Sequence, residues 1–192
     1  MATGLIGGTF DPIHIAHLVM AEEALEQLRL STVVFVPAAR PPHKRGASLA
    51  SFDDRIEMVR RALLGNARLS VSDVEGRRPD VSYTIDTVRM FRRERPGERL
   101  CLIVGSDSLA QLATWKSPDE LLSECEFVVA PRPGFTVEQA EPRFRDRVRL
   151  LDMPSLDVSS SDIRERVRLG RSIRYLVPSE VEAYIREKNL YR

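Results

Sequence analysis

Lysine is nearly absent from this 192-residue chain: Lys44, Lys116 and Lys188 are three of 29 basic residues, and arginine supplies the rest. Each lysine therefore stands out, because a compact ammonium and a flat guanidinium are not equivalent at a phosphate. Cysteine is scarce too. Cys101 and Cys125 form no CxxC and no Cys/His zinc spacing, which excludes a disulfide framework and a zinc module. Both open apolar strand-like runs and read as small core residues. The three histidines are His14, His17 and His43. No run approaches the roughly 18 apolar residues that span a bilayer. The first residues lack a basic stretch followed by an apolar one, so no signal peptide is expected and the chain is taken as cytoplasmic. Net charge is only +1, so no global field draws nucleic acid or an anionic membrane. There is no GxGxxG and no Gly-Lys-Ser/Thr, which removes the dinucleotide-binding and P-loop fingerprints.

What remains is an ordered alternation of short apolar runs and amphipathic stretches. Thr3–Ile6, Val33–Val36, Leu69–Val71, Leu100–Val104, Phe127–Ala130 and Val148–Leu151 read as strands. His14–Leu28, Phe52–Leu64, Thr84–Arg92, Ser160–Arg168 and Ser179–Glu187 read as helices, the last two with serine at the cap. Repeated β-then-α units predict an α/β, Rossmann-like, doubly wound parallel sheet with helices on both faces. One domain over residues 1–192 is expected, with the small helical part from about 160 packed on the same core. In such a sheet the ligand lies beyond the carboxyl ends of the strands, where strand order reverses.

The motifs fall at those strand ends. Gly7-Gly8 follows the first strand and lets backbone amides approach an anion. His14 and His17 come next, three residues apart and so on one helix face, beside a helix start that favours negative charge. Taken alone the pair fits satisfied core histidines, a metal pair needing a third ligand, or a phosphate patch. Late in the chain, Val158-Ser159-Ser160-Ser161-Asp162-Ile163-Arg164 opens a helix. It reads either as a surface helix capped by Ser161 or as an anion cradle of amides, hydroxyls and Arg164. Between them lie Pro41-Pro42-His43-Lys44, Ser82-Tyr83-Thr84-Ile85-Asp86-Thr87, Gly105-Ser106-Asp107, Trp115-Lys116 and Arg132-Pro133-Gly134. Thr84 is either a plain N-cap or part of a carboxylate site. The single tryptophan is either core or a stacking surface.

Gly8-Thr9-Phe10-Asp11-Pro12-Ile13-His14-Ile15-Ala16-His17 resembles the G-[TS]-F-D-P-x-H-x-G-H signature of the nucleotidyltransferase superfamily, with Ala16 where glycine is usual. The serine-rich segment resembles that superfamily's I-S-S-T-x-I-R motif, with Val158 and Ser161 as conservative replacements. The P-P-H-K, S-Y-T-x-D-T, G-x-D, W-K and R-x-G segments resemble the nicotinate-nucleotide adenylyltransferases, as does the closing stretch from Leu176 to Tyr184. The resemblance implies transfer of the adenylyl group of ATP to nicotinate mononucleotide, giving deamido-NAD and pyrophosphate in NAD biosynthesis. It implies catalytic roles for His14, His17 and Arg164. ATP is expected on Gly7, Gly8, Thr9, Phe10, Gly105, Asp107 and Ser159–Ser161 as well. The mononucleotide is expected on Lys44, Tyr83, Thr84, Trp115 and Arg132. Mg²⁺ is expected to ride on the ATP phosphates with no dedicated protein ligands. Nucleic acid and membrane are not expected partners, and a homo-oligomer is left open. A nicotinamide-mononucleotide or pantetheine-phosphate adenylyltransferase, or a non-catalytic nucleotide-binding module, is the alternative.

Overall fold

A computed structural model describes residues 1–41, 50–79 and 81–192. Six strands form one sheet: β1 (Ala2–Gly8), β2 (Thr32–Pro37), β3 (Leu69–Val71), β4 (Arg99–Gly105), β5 (Glu126–Ala130) and β6 (Val148–Leu150). Every pairing is parallel and the order is β3-β2-β1-β4-β5-β6. The order reverses between β1 and β4, which opens a crevice past their carboxyl ends.

The strand runs are apolar throughout because both faces are covered. Side chains alternate between faces along a strand. Ile6, Val33, Phe35, Cys101, Ile103 and Val128 therefore join one core cluster, while Leu5, Val34, Val36, Leu102, Val104 and Val129 join the other. The first face is covered by α1 (Ile15–Gln27), α2 (Phe52–Ala62), α7 (Ser160–Arg168) and α8 (Ser179–Glu187), whose apolar residues belong to that cluster. The second is covered by α3 (Thr84–Glu94) and α5 (Pro118–Glu124), through Ile85, Val88, Phe91 and Leu121. Helix α8 rests on α2: Tyr184 donates to Asp54 Oδ1 at 2.9 Å and the Arg61 guanidinium lies 4.4 Å from its ring centre.

The expected strands and long helices are all present. The region after β4 adds elements that the sequence pattern did not suggest: α4 (Ser106–Ala110), a 3-10 turn at Leu112–Thr114, α5 and α6 (Pro142–Arg145). Two caps differ from expectation. Ser159, not Ser161, caps α7, accepting the Asp162 amide at 3.1 Å. Helix α8 has Pro178 at its cap position, and Ser179 is already helical. Cys101 is fully buried, whereas Cys125 is only half-buried, and burial pushes both thiols up to about 12.

Candidate active site

The end of β1 shapes the crevice floor. Gly7 is exposed at the strand end, with open space where a Cβ would stand. A Cβ on Gly8 would meet the Phe10 ring at 2.9 Å, because Phe10 turns back over it with φ 50°. That left-handed conformation strains a bulky residue. It is held because the ring is buried edge-on to Phe35 and His17, at centroid distances of 5.6 and 5.1 Å.

His14 precedes α1 and His17 sits in its first turn, so the two rings stack 3.8 Å apart. The His14 amide donates to His17 Nδ1 at 3.3 Å. Neutral His17 therefore carries its proton on Nε2, which leaves a fixed donor. His14 Nδ1 is buried with no partner among the described residues. Burial, reinforced by the Arg132 charge, lowers His14 to about 4. Burial, then His14, then Arg132 hold His17 well below its ordinary value. Both rings are thus neutral at pH 7. Ala16 lies in the first turn of α1 and lines the same cavity. It has no positive φ, so its backbone does not require the usual glycine.

The serine-rich segment comes to the same place. Ser159 is engaged as the cap of α7, and Ser160 donates to the Pro12 carbonyl at 2.9 Å. The amides of Ser160 and Ser161 and the Ser161 hydroxyl are what this segment offers an anion. Arg164 Nη1 donates to the Asp11 carbonyl at 2.8 Å and stands 3.8 Å from Asp11 Oδ2.

At the end of β4, a Cβ on Gly105 would strike Asp107 Oδ1. Asp107 pairs with Arg132 at 2.9 Å, and the Arg132 amide donates to Ser106 Oγ at 3.0 Å. Gly134, with φ 81°, completes the turn in which the Phe135 amide reaches the Arg132 carbonyl at 3.1 Å. Arg132 lies on the histidine side of the crevice and lines the cavity of His14, His17 and Ser159–Ser161, which measures 320 Å³.

A second cavity of 560 Å³ adjoins it, lined by Tyr83, Thr84, Trp115 and Lys116. Tyr83, not Thr84, is the cap residue of α3, and among the described residues no side chain caps that helix. The Asp86 amide turns back to the Tyr83 carbonyl at 3.1 Å, which leaves the amides of Thr84, the first helical residue, and Ile85 available. Ser82 exchanges bonds with Arg40: its amide reaches the Arg40 carbonyl at 3.2 Å, and its hydroxyl accepts the Arg40 amide at 3.1 Å. Lys116 sits 4.8 Å over the Tyr83 ring and pairs with Asp86 at 2.9 Å. Trp115 packs edge-on to Phe127, at 6.4 Å, and also walls the cavity, so core and surface readings both apply. Gly7, Gly8, Thr9 and Asp107 line both cavities. Lys44 and His43 lie outside the described residues.

Three supporting side chains escaped the sequence reading. Arg55 is 2% exposed and donates to the carbonyls of Thr9 and Ala38, both at 2.8 Å, which ties α2 to the first loop. Its signal was its place on the apolar face of α2, one turn before Val59. Glu75 is buried beside the larger cavity and accepts from Thr87 Oγ1 at 2.7 Å. Tyr191 reaches Asp11 from 180 positions away, and no local pattern announces it.

The cytidylyltransferase-like family model matches residues 5–166. A probable nicotinate-nucleotide adenylyltransferase of Exiguobacterium sibiricum is 48% identical over 191 residues, covering 100% of this chain and 99% of its own. The corresponding protein of Salinibacter ruber is 44% identical over 192 residues, covering 100% and 98%. Plasmodium falciparum nicotinic acid mononucleotide adenylyltransferase, solved in complex with NaAD, shares the fold. Its TM-score is 0.83 at 20% identity, with 99% of this chain and 97% of that one covered. The chain belongs to the cytidylyltransferase-like family and, within it, to the nicotinate-nucleotide adenylyltransferases.

Proposed function

We propose that the protein joins ATP and nicotinate mononucleotide into nicotinate adenine dinucleotide and pyrophosphate, with the two substrates meeting over the end of β1. The observation that carries this is the pair of adjoining cavities sharing Gly7, Gly8, Thr9 and Asp107. One is rich in phosphate donors and the other has an aromatic wall and an uncapped helix start.

In this reading ATP lies in the histidine cavity. Its phosphates meet His14, His17, Arg164 and the leading amides of α7, and Gly7 to Phe10 line its path. Gly105 leaves room for Asp107 to bond ribose hydroxyls. The mononucleotide lies in the larger cavity. Its ring stacks on Trp115 beside Tyr83, and its carboxylate meets the α3 amides and Thr84. Lys44, from its place in the Pro-Pro-His-Lys segment, supplies charge to its phosphate. Arg132 stands on the ATP side and faces the region where the phosphates join. A phosphate oxygen of the mononucleotide attacks the α-phosphorus of ATP; a new P–O bond forms as the bond to the β-phosphate oxygen breaks, and pyrophosphate carries the electron pair away. The nucleophile is already anionic, so no base is needed, and catalysis is positioning plus charge stabilisation. Mg²⁺ is part of this reading, shielding the triphosphate charge. Among the described residues no cluster of three His, Cys, Asp or Glu side chains could cage a metal ion; in this reading Mg²⁺ would be carried by phosphate oxygens and water.

The test is pyrophosphate release from ATP and Mg²⁺ with nicotinate mononucleotide, nicotinamide mononucleotide or phosphopantetheine in parallel. Turnover dominated by nicotinate mononucleotide is expected. Turnover dominated by another acceptor, or ATP binding without turnover, overturns the reading.

A further inference from the structure

Asp11 lies in the loop between β1 and α1 and is 1% exposed. Its Oδ1 accepts from the Tyr191 phenol at 2.7 Å and from the Ala50 amide at 3.2 Å. Its Oδ2 is buried, has no hydrogen-bond partner among the described residues, and stays 3.8 Å from Arg164 Nη1. Arg164 is instead held by the Asp11 carbonyl at 2.8 Å, with a long 3.4 Å contact from Nη2 to Ser161 Oγ. An arginine this close to a carboxylate ordinarily closes a two-point pair. Here it does not.

Tyr191 is a demanding partner for that carboxylate. Its φ is 66°, in the left-handed region that bulky residues avoid. Such strain persists where the surroundings over-determine the conformation. The side chain packs against the first core cluster, and its oxygen also lies 3.8 Å from Met58 Sδ. Burial and the Asp11 charge push its ionisation up, so the phenol remains a donor across the working pH range.

We propose that Tyr191 is a positioning residue for adenylyl transfer: by engaging Asp11 Oδ1 it keeps that carboxylate from closing on Arg164 and leaves the guanidinium free for the ATP phosphates. The inference rests on the reading that places Arg164 on those phosphates. Without the hydroxyl, Asp11 Oδ1 keeps only the Ala50 amide, and the carboxylate turns toward Arg164. ATP must then break an ion pair tighter than the 3.8 Å approach of the native protein.

Tyr191→Phe tests this by steady-state kinetics. The KM for ATP should rise about five- to tenfold, where tenfold corresponds to about 1.4 kcal/mol. The KM for nicotinate mononucleotide should stay within about twofold, or about 0.4 kcal/mol. Tyr184→Phe is the control: it removes a comparable 2.9 Å bond, to Asp54, without touching the loop. It should leave the KM for ATP unchanged. Arg164→Ala combined with Tyr191→Phe should be no worse than Arg164→Ala alone, because the tyrosine acts through the arginine. Equal behaviour of the two phenylalanine variants, or equal changes in both KM values, overturns the inference. If Arg164→Ala itself leaves ATP kinetics intact, the phosphate reading fails; if that variant is impaired and Tyr191→Phe is not, only the role of Tyr191 fails.

Discussion

Lowering the pH from 7 to 5 will weaken the fold through His14. The ring is 5% exposed, and burial, then the Arg132 charge, depress it from 6.5 to about 4. As pH falls below 6.5 the unfolded chain takes up a proton that the folded chain refuses, so stability is full above the unfolded value and declines toward the folded one. For one group shifted this far, the loss is about 2 kcal/mol at pH 5 and about 3 kcal/mol at pH 4. Carboxylates titrate in the same window, so the measurement is a difference. Urea unfolding of the native chain and of His14→Asn, each from pH 7.5 to 4.5, should show the native chain losing about 2 kcal/mol more by pH 5. His17 is depressed for the same leading reason and keeps the sign the same. NMR gives an independent check, because only three imidazoles must be assigned. The His14 resonance should remain in its neutral position at pH 5.5. Parallel stability profiles, or a His14 midpoint near the ordinary value, would refute the claim that this ring is buried and neutral.

Three further outcomes follow from the same geometry. His17→Ala removes the Nε2 donor and should lower kcat about 10²–10³-fold, the scale of losing one preorganised donor, with the fold intact by circular dichroism; near-normal turnover would remove His17 from the reaction. Trp115→Ala should raise the KM for nicotinate mononucleotide at least about tenfold more than that for ATP, as expected for a lost ring-stacking and burial contribution; equal changes would leave it only its packing on Phe127. Arg55→Leu strands the Thr9 and Ala38 carbonyls and leaves Asp11 and Glu75 without the cation whose field they share, so urea unfolding should report a loss of about 3–5 kcal/mol.

The sheet was legible because its strands are short, rich in Val and Ile and buried on both faces, so each stands out between polar segments. The bounds of α7 and α8 were legible as well. Their caps were not: a cap is one hydrogen bond set by a single extended residue, and in Ser159-Ser160-Ser161 three hydroxyls compete for it. The stretch from Ser106 to Glu124 was opaque for a different reason. Its helices are five and seven residues long, too short for a 3.6-residue period to show, and α5 starts after Ser117 with φ 48°. The motif residues could be read because each follows a strand, and the crevice is where strand ends meet. The supports behind them could not. Arg55 reaches the first loop from α2, and Tyr191 reaches it from beyond α8; neither contact leaves a trace at fixed spacing.

A net charge of +1 is at first sight a poor endowment for a protein that handles a triphosphate. The crevice accounts for it. Arg132 is matched by Asp107 at 2.9 Å, Arg164 stands by Asp11 at 3.8 Å, and both histidines are neutral. In the proposed reading, what faces the phosphates is a single guanidinium, that of Arg164, set among fixed dipoles: the His17 N–H, the α7 amides and the backbone at the glycine end of β1. Fixed dipoles suit this reaction. A permanently charged pocket would hold ATP and departing pyrophosphate as tightly as the transition state, and uniform binding of that kind does not speed the chemical step. Donors already aimed at the point where charge builds contribute most at the transition state, because they need no reorganisation. The Phe10 ring, turned back over Gly8 and set against His17, is the mechanical counterpart of that arrangement. It fixes the imidazole by packing, where an ion pair would have charged it.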